Sequence, residues 1–312
     1  MLQDNVSAMA RYLDYMRTKR NKDGLLAYGL GDWCQSFIWD CTRFETPLEI
    51  TDSLIGYDLC KKASEIFTVL GHTRYATNAE NLARELLYAF REKWVSEDGI
   101  SVKSQTQTAQ ALALKYDVFL ADKKKQATEE LVSRIARDGN RFNVGVVGGY
   151  SLFTTLADNG YVELAYKLIT QKTPPSYGYI ASLGETTLWE SMYDFGESKS
   201  RVVLKSGEPI LSMNHHFWGF AYTFFVQYIA GLRINPRFTD TQYVEIIPNF
   251  VEGLKRAEAY YDMALGRVSV KWENENGERK VEICVPKGVR AKIVVDGREE
   301  IFTTGVHTKV YK

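Results

Sequence analysis

The sequence predicts a mainly α protein: a stack or toroid of helical hairpins followed by a small antiparallel β domain. Apolar residues recur at helical spacing through the first two thirds of the 312-residue chain. The links between those amphipathic segments are short, which favours sequential hairpins over a four-helix bundle, although no fixed-period repeat is present. After Ile234-Asn-Pro236 the apolar period changes from that of a helix to that of a strand. The expected division is 1–233 helical and 234–312 β.

The first helix is predicted over Asn5 to Arg20, where Val6, Met9, Leu13 and Met16 form one buried stripe and Asn21-Lys-Asp-Gly24 stops it. The second begins at Thr46-Pro47-Leu48-Glu49, with Thr46 as N-cap, Pro47 in the first turn and Glu49 completing a capping box. It is expected to reach Leu70, a length of roughly 36 Å at 1.5 Å per residue. The third carries Ala79, Leu82, Ala83, Leu86, Leu87 and Phe90, and Glu97-Asp98-Gly99 closes it. Further helices are predicted at about 106–119, 122–138, 149–158, 161–171, 186–194 and 212–230, nine in all, separated by turns such as Gly139-Asn140 and Asn159-Gly160. Strands are predicted at Tyr243–Ile247, Gly266–Trp272, Lys280–Val285 and Ala291–Val295, with turns at Glu275-Asn-Gly277 and Asp296-Gly297. That β domain is expected to be structural.

Lys plus Arg equals Asp plus Glu at 39 each, so no bulk field draws nucleic acid or an anionic membrane. Aromatics reach 13%, including 19 Tyr and 6 Trp, which suits both core packing and sugar-stacking clefts. Cys34, Cys41, Cys60 and Cys284 show neither a Cys-x-x-Cys pair nor histidines at zinc spacing, so no metal site is expected and the thiols are expected reduced. No basic stretch followed by an apolar one opens the chain and no apolar run is long enough to span a bilayer, so a cytoplasmic location is expected.

The segment Gly184-Glu-Thr-Thr-Leu-Trp-Glu190 sets a carboxylate beside Trp189, a candidate stacking ring. Glycosidic cleavage needs one carboxylic acid for the leaving oxygen and one carboxylate as base or nucleophile, and Glu190 suits the base. The plain alternative is a solvated glutamate favoured by a helix dipole. Ser212-Met-Asn-His215-His216-Phe-Trp-Gly219 can bring a second polar group to the same place, though a structural histidine is the ordinary outcome for either ring. Gly29-Leu-Gly-Asp32-Trp33 forms a glycine-lined turn that presents a carboxylate and an indole; its plain alternative is a turn whose Asp32 caps the backbone.

Taken in order, Gly29-Leu-Gly-Asp-Trp33, Ser104-Gln-Thr-Gln-Thr-Ala-Gln-Ala-Leu112, Val146-Val-Gly-Gly149, Pro175-Ser-Tyr-Gly-Tyr179, Thr186-Thr-Leu-Trp-Glu190 and Asn214-His215 resemble the motifs of bacterial α-L-rhamnosidases. The resemblance runs from about Asn5 to the C-terminus and implies an (α/α)6 barrel, incomplete here, followed by a C-terminal β-sandwich. It also implies inverting hydrolysis of terminal α-L-rhamnosides without a cofactor, with Glu190 as general base. His215, Trp33, Asp32, Trp189 and Tyr177 are implied to line the rhamnose pocket. Tyr177 stands where tryptophan is commoner, and Met192 replaces an aromatic residue that often follows the base.

The family's general acid lies in a motif close to Asp-x-x-Arg-x-Glu-Arg-x-Gly-Trp-x-Gly-Asp, which this chain lacks. Asp32 and Glu45 are the candidates to replace it here. The expected partner is a rhamnose-containing glycoside, with a second copy or an upstream polypeptide completing the barrel. Other readings stay open: a non-hydrolytic sugar-binding or assembly subunit, the C-terminal half of a split hydrolase, or another (α/α)6 enzyme such as a sugar 2-epimerase.

Overall fold

The protein is described by a computed structural model over residues 1–38, 43–192, 212–234, 242–275 and 277–311. It divides into two compact units: Met1–Thr155 with Thr170–Trp218, and Leu156–Ile169 with Gly219–Lys312.

The first unit is built on α1 (Val6–Thr18), α2 (Leu48–Val69) and α3 (Thr73–Trp94). Ala76, Ala79, Leu82, Ala83, Leu86 and Phe90 are all buried on α3; the expected stripe is met except that Leu87 is only partly buried, and Ala76 extends it. All of these buried residues but Phe90 join Tyr57, Cys60, Ala63 and Phe67 of α2 and Val6, Leu13 and Met16 of α1 in one core. Each fully buried large side chain there stabilises by about 1.5–3 kcal/mol. The hairpin turn is made at Gly71, whose φ is 77°, with His72 N–H donating to Phe67 O at 2.8 Å. Such a left-handed residue after the last helical turn closes otherwise orphaned carbonyls. The predicted capping box shifts by one residue: Pro47 is the N-cap and makes no side-chain bond. Thr46 instead pairs its hydroxyl with that of Thr106 at 2.8 Å.

The next pair is α4 (Gln107–Lys115) and α5 (Lys124–Arg137). Residues 107–114 of α4 are all buried, its polar members included. Gln110 satisfies itself by accepting from Val102 N–H at 2.9 Å and donating to Ile100 O and Ala127 O at 2.8 and 2.9 Å. Arg134 of α5 is enclosed in the same way. Its guanidinium donates to the carbonyls of Ser104, Thr106 and Val102 at 2.8, 2.8 and 3.0 Å and to Glu130 at 2.8 Å.

Then follow α6 (Val146–Asp158), α7 (Val162–Thr170) and α8 (Tyr177–Ser182). The sequence pattern missed α8, which is short and starts with Ser176 capping Tyr179 N–H at 2.9 Å. Two predicted helices change character. The described part of 186–194 is non-helical, and 212–230 breaks into a loop, a 3-10 turn at His216–Trp218, the short α9 (Ala221–Phe224) and a π-helical turn at Phe225–Ala230. Asp194 and Phe195 lie outside the described residues, as do Cys41, the Asn235-Pro236 break and Asn276. Cys60 and Cys284 are free as expected, whereas Cys34 is disulfide-bonded, which corrects the expectation of reduced thiols.

In the second unit the π-helical turn ends at Gly231, φ 88°, where a Cβ would fall 2.3 Å from Pro248 N. Eight strands follow: β1 (Leu232–Arg233), β2 (Tyr243–Ile246), β3 (Arg256–Met263), β4 (Gly266–Glu275), β5 (Glu278–Val285), β6 (Arg290–Val295), β7 (Arg298–Phe302) and β8 (Gly305–Tyr311). They form two four-stranded sheets, β1-β2-β6-β7 and β3-β4-β5-β8. The alternately buried Val268, Val270 and Trp272, Val281, Ile283 and Val285, and Ala291, Ile293 and Val295 fill the sandwich. β2 and β6 pair in parallel, so the domain is antiparallel in all but that one pairing. The sequence pattern missed β3, β7 and β8, in which no residue except Tyr311 is buried and the alternation is therefore weak. Among the described residues no helix is long and apolar enough to cross a membrane.

Arg134→Met is expected to lower stability by roughly 3 kcal/mol or more, because three carbonyls, that of buried Val102 among them, lose a charged donor at once. Urea unfolding measures this, and a loss below about 1 kcal/mol would show that the carbonyls find other donors.

Candidate active site

After α8 the chain turns at Gly184, φ 81°, and enters the Thr187–Glu190 segment. Its backbone bonds run across the fold rather than along a helix. Glu190 N–H donates to Ser212 O at 2.8 Å, His215 N–H donates to Leu188 O at 2.7 Å, and Thr187 Oγ1 donates to Met213 O at 2.6 Å. These long-range partners take the place of helical ones in the described part of the predicted 186–194 helix, which is non-helical.

This pairing brings together the two motifs expected to converge. Glu190 Oε2 accepts Ser212 N–H at 3.0 Å and stands 3.8 Å from His215 Nδ1, with the two side chains 19% and 24% exposed. Carboxylate and imidazole are thus half-buried neighbours, too far apart for a direct hydrogen bond. The His215 ring meets Phe217 edge-on at 3.9 Å and stacks with His216 at 5.7 Å. On the far side of Glu190 its carbonyl accepts the Trp218 indole N–H at 3.1 Å.

The remaining predicted residues are placed differently. Trp189 is only 5% exposed and its indole N–H is buried without a partner, so it is no open stacking platform. The Tyr177 hydroxyl donates to Trp218 O at 2.7 Å, and burial pushes its pKa well up. Trp33 is half-buried, and its carbonyl accepts Val146 N–H at 2.8 Å at the start of α6.

Asp32 is fully enclosed. It accepts Gly145 N–H and Gly148 N–H at 2.8 Å each and the Thr108 hydroxyl. Burial raises its pKa, while Thr108, Gly148, Gly145 and Val147 pull it back down. With its oxygens spent on α4 and the N-terminus of α6, this carboxyl presents nothing to a ligand; the capping alternative fits it better than the pocket. Glu45 is exposed and is joined to Gln35, which bonds Asn143 at 3.1 Å as well as Glu45 at 3.0 Å.

Ser212, Trp218 and Thr108 escaped the sequence reading as site or support residues. The legible signal was weak: Trp218 sits in a run of aromatics, and Thr108 is one of several polar residues in an otherwise Ala- and Leu-rich helix. Among the described residues no group of three or more His, Cys, Asp or Glu side chains is placed to hold a metal ion. Chemically, the site offers a carboxylate with one oxygen fixed by an amide and an imidazole alongside, an arrangement able to orient and deprotonate a water.

Two family models match the chain: the bacterial alpha-L-rhamnosidase 6 hairpin glycosidase domain over residues 1–229 and the bacterial alpha-L-rhamnosidase C-terminal domain over 238–309. An alpha-L-rhamnosidase of Formosa agariphila is 26% identical over 324 residues, covering 100% of this chain and 34% of the relative. One from Streptomyces avermitilis is 29% identical over 294 residues, covering 93% of this chain and 26% of the relative. The crystal structure of a Streptomyces avermitilis alpha-L-rhamnosidase complexed with L-rhamnose superposes with a TM-score of 0.84 at 26% identity, covering 100% of this chain and 31% of that one. The chain thus spans about a third of the length of the proteins it matches.

Replacing Asp32 by Asn puts an amide NH2 where an oxygen accepts from a main-chain N–H. Asp32→Asn is expected to cost about 2–4 kcal/mol of stability, read from denaturation midpoints. A neutral result would mean that the carboxylate does not hold the α6 N-terminus.

Proposed function

The chain belongs to the bacterial α-L-rhamnosidase family, and on that premise we propose that it supplies the base side of a site that cleaves terminal α-L-rhamnosides with inversion. The observation that supports this reading is the Glu190–His215 pair, built by two motifs that the fold pairs across 22 residues of sequence. Glu190 is the general base: its Oε2 is aimed by Ser212 N–H, and its task is to take a proton from the water that attacks the anomeric carbon. His215, beside it on the same face, is the group that contacts the sugar hydroxyls. Inversion requires the acid on the opposite side of the sugar, with carboxyl groups roughly 6.5–9.5 Å apart to admit a water. Asp32 is closed off and Glu45 is tied to Gln35, so neither is given the acid role, which we assign to another part of the enzyme; the chain spans about a third of the length of its relatives.

Glu190→Gln is expected to lower aryl α-L-rhamnoside turnover by about 10²–10⁴-fold, measured on the chain alone and after addition of the acid-bearing part of the enzyme. Turnover unchanged by that substitution would remove Glu190 from the base role, and retention of anomeric configuration by NMR would remove inversion.

A second reading, an assembly subunit, draws on one surface. Met9, Tyr12 and Leu13 of α1, with Asn5 just before it, and Ile55, Leu59, Ala63 and Ile66 of α2 line an apolar groove of about 560 Å³. A further 310 Å³ cavity shares Tyr12, Ile55 and Leu59 with it. Tyr12 is 46% exposed and Ile55 40%, on a face that suits the matching helical face of a second copy of the chain. Light scattering is expected to show concentration-dependent association of the isolated chain that Ile55→Asp abolishes. A monodisperse monomer at all concentrations would overturn this reading.

A further inference from the structure

Two aromatic residues that do not face the reacting groups are wired to Glu190. The Trp218 indole N–H donates to Glu190 O at 3.1 Å, and the Tyr177 hydroxyl donates to Trp218 O at 2.7 Å. We propose that Trp218 and Tyr177 are positioning residues for Glu190: they act through its main chain to hold its carboxylate in place, and Tyr177 serves this relay rather than the sugar.

Glu190 is gripped from two sides. Ser212 takes its N–H at 2.8 Å and donates its own N–H to Oε2 at 3.0 Å, while Trp218 takes the carbonyl. With both main-chain groups fixed, only side-chain rotation remains free, and the Ser212 amide limits that. A general base gains from such restraint, because a misplacement of about 1 Å at a reacting group can cost roughly 100-fold in rate.

The grip is as rigid as its walls. Trp218 has no exposed surface, and its ring lies 6.0 Å from that of Phe142. Phe153 meets Phe142 edge-on at 5.6 Å and Tyr177 edge-on at 6.3 Å, so a touching pair of phenylalanines backs the relay, Phe142 against Trp218 and Phe153 against Tyr177. Burial holds the Tyr177 phenol neutral far above ordinary pH, which keeps its proton available for donation to Trp218 O. A phenyl ring at 218 would fill most of this space and donate nothing. The loop is therefore expected to depend on the indole N–H itself, beyond the volume of the ring.

The catalytic importance of this relay rests on the base role given to Glu190; the clamp does not. The test separates the two. Amide hydrogen exchange by NMR on the full chain uses Glu190 N–H and His215 N–H as reporters and Leu86 N–H, in the α3 core, as control. Trp218→Phe is expected to speed exchange at both reporters by roughly five- to tenfold, the value of one ordinary hydrogen bond, while Leu86 is unmoved. Tyr177→Phe, which keeps the ring, is expected to speed the same two amides by less, and the double variant to exceed Trp218→Phe little, because the bonds act in series. Reporters that keep their wild-type exchange in Trp218→Phe overturn the proposal, and so does an acceleration shared equally by Leu86, which would mark a general core residue. In aryl rhamnoside turnover, Trp218→Phe is expected to lower kcat with KM unchanged, and a rise in KM alone would overturn the positioning role. If Glu190→Gln leaves turnover intact, the base reading falls while the exchange data still decide the clamp.

Discussion

The helical unit is organised around one buried carboxylate. Asp32 joins three segments distant in sequence: its own loop, Thr108 on α4, and the main chain at Gly145 and Gly148 where α6 begins. Its cost is desolvation, and the donors that offset it include the first free N–H groups of a helix, which favour negative charge. The arrangement dictates neighbouring residues in turn. A Cβ on Gly145 would fall 2.1 Å from Asp32 O, and one on Gly148 would fall 2.1 Å from Thr108 Oγ1. Only glycine lets the backbone of the Asp32 loop and the Thr108 hydroxyl approach the start of α6 this closely.

The candidate active site uses the same device on a smaller scale. Backbone groups that a helix would have satisfied internally are paired between Thr187–Glu190 and Ser212–His215, and the side chains that matter project from that pairing. Glu190 owes its position to main-chain bonds on both sides, and His215 owes its place to Leu188 O and Phe217. The indole of Trp189 is buried beside this pairing, while Glu190 stays partly exposed.

The second unit stands on its own core. Trp272 of β4 is fully buried, donates its indole N–H to Ile229 O at 2.9 Å and meets Phe250 edge-on at 5.0 Å. That bond ties the sandwich to the π-helical turn, and Asn249 adds a second tie by donating to Tyr228 O at 2.6 Å.

The sequence by itself determined the fold class, the long helices and the central strands, because burial of a strong periodic stripe leaves a helix or strand little choice. The α3 stripe and the alternation in β4, β5 and β6 were legible for that reason. So was the convergence of Glu190 with His215, since both sit in ordered motifs. The edge strands β3 and β8 and the short helix α8 were not legible, because few of their residues are buried and the pattern fades. Only the tertiary structure could decide that Asp32 is a hidden clamp, that Trp189 faces inward and that Tyr177 is bonded to Trp218 O. Those assignments depend on which distant backbone groups need a partner, and hydrogen bonds across a hundred residues leave no local period in a sequence.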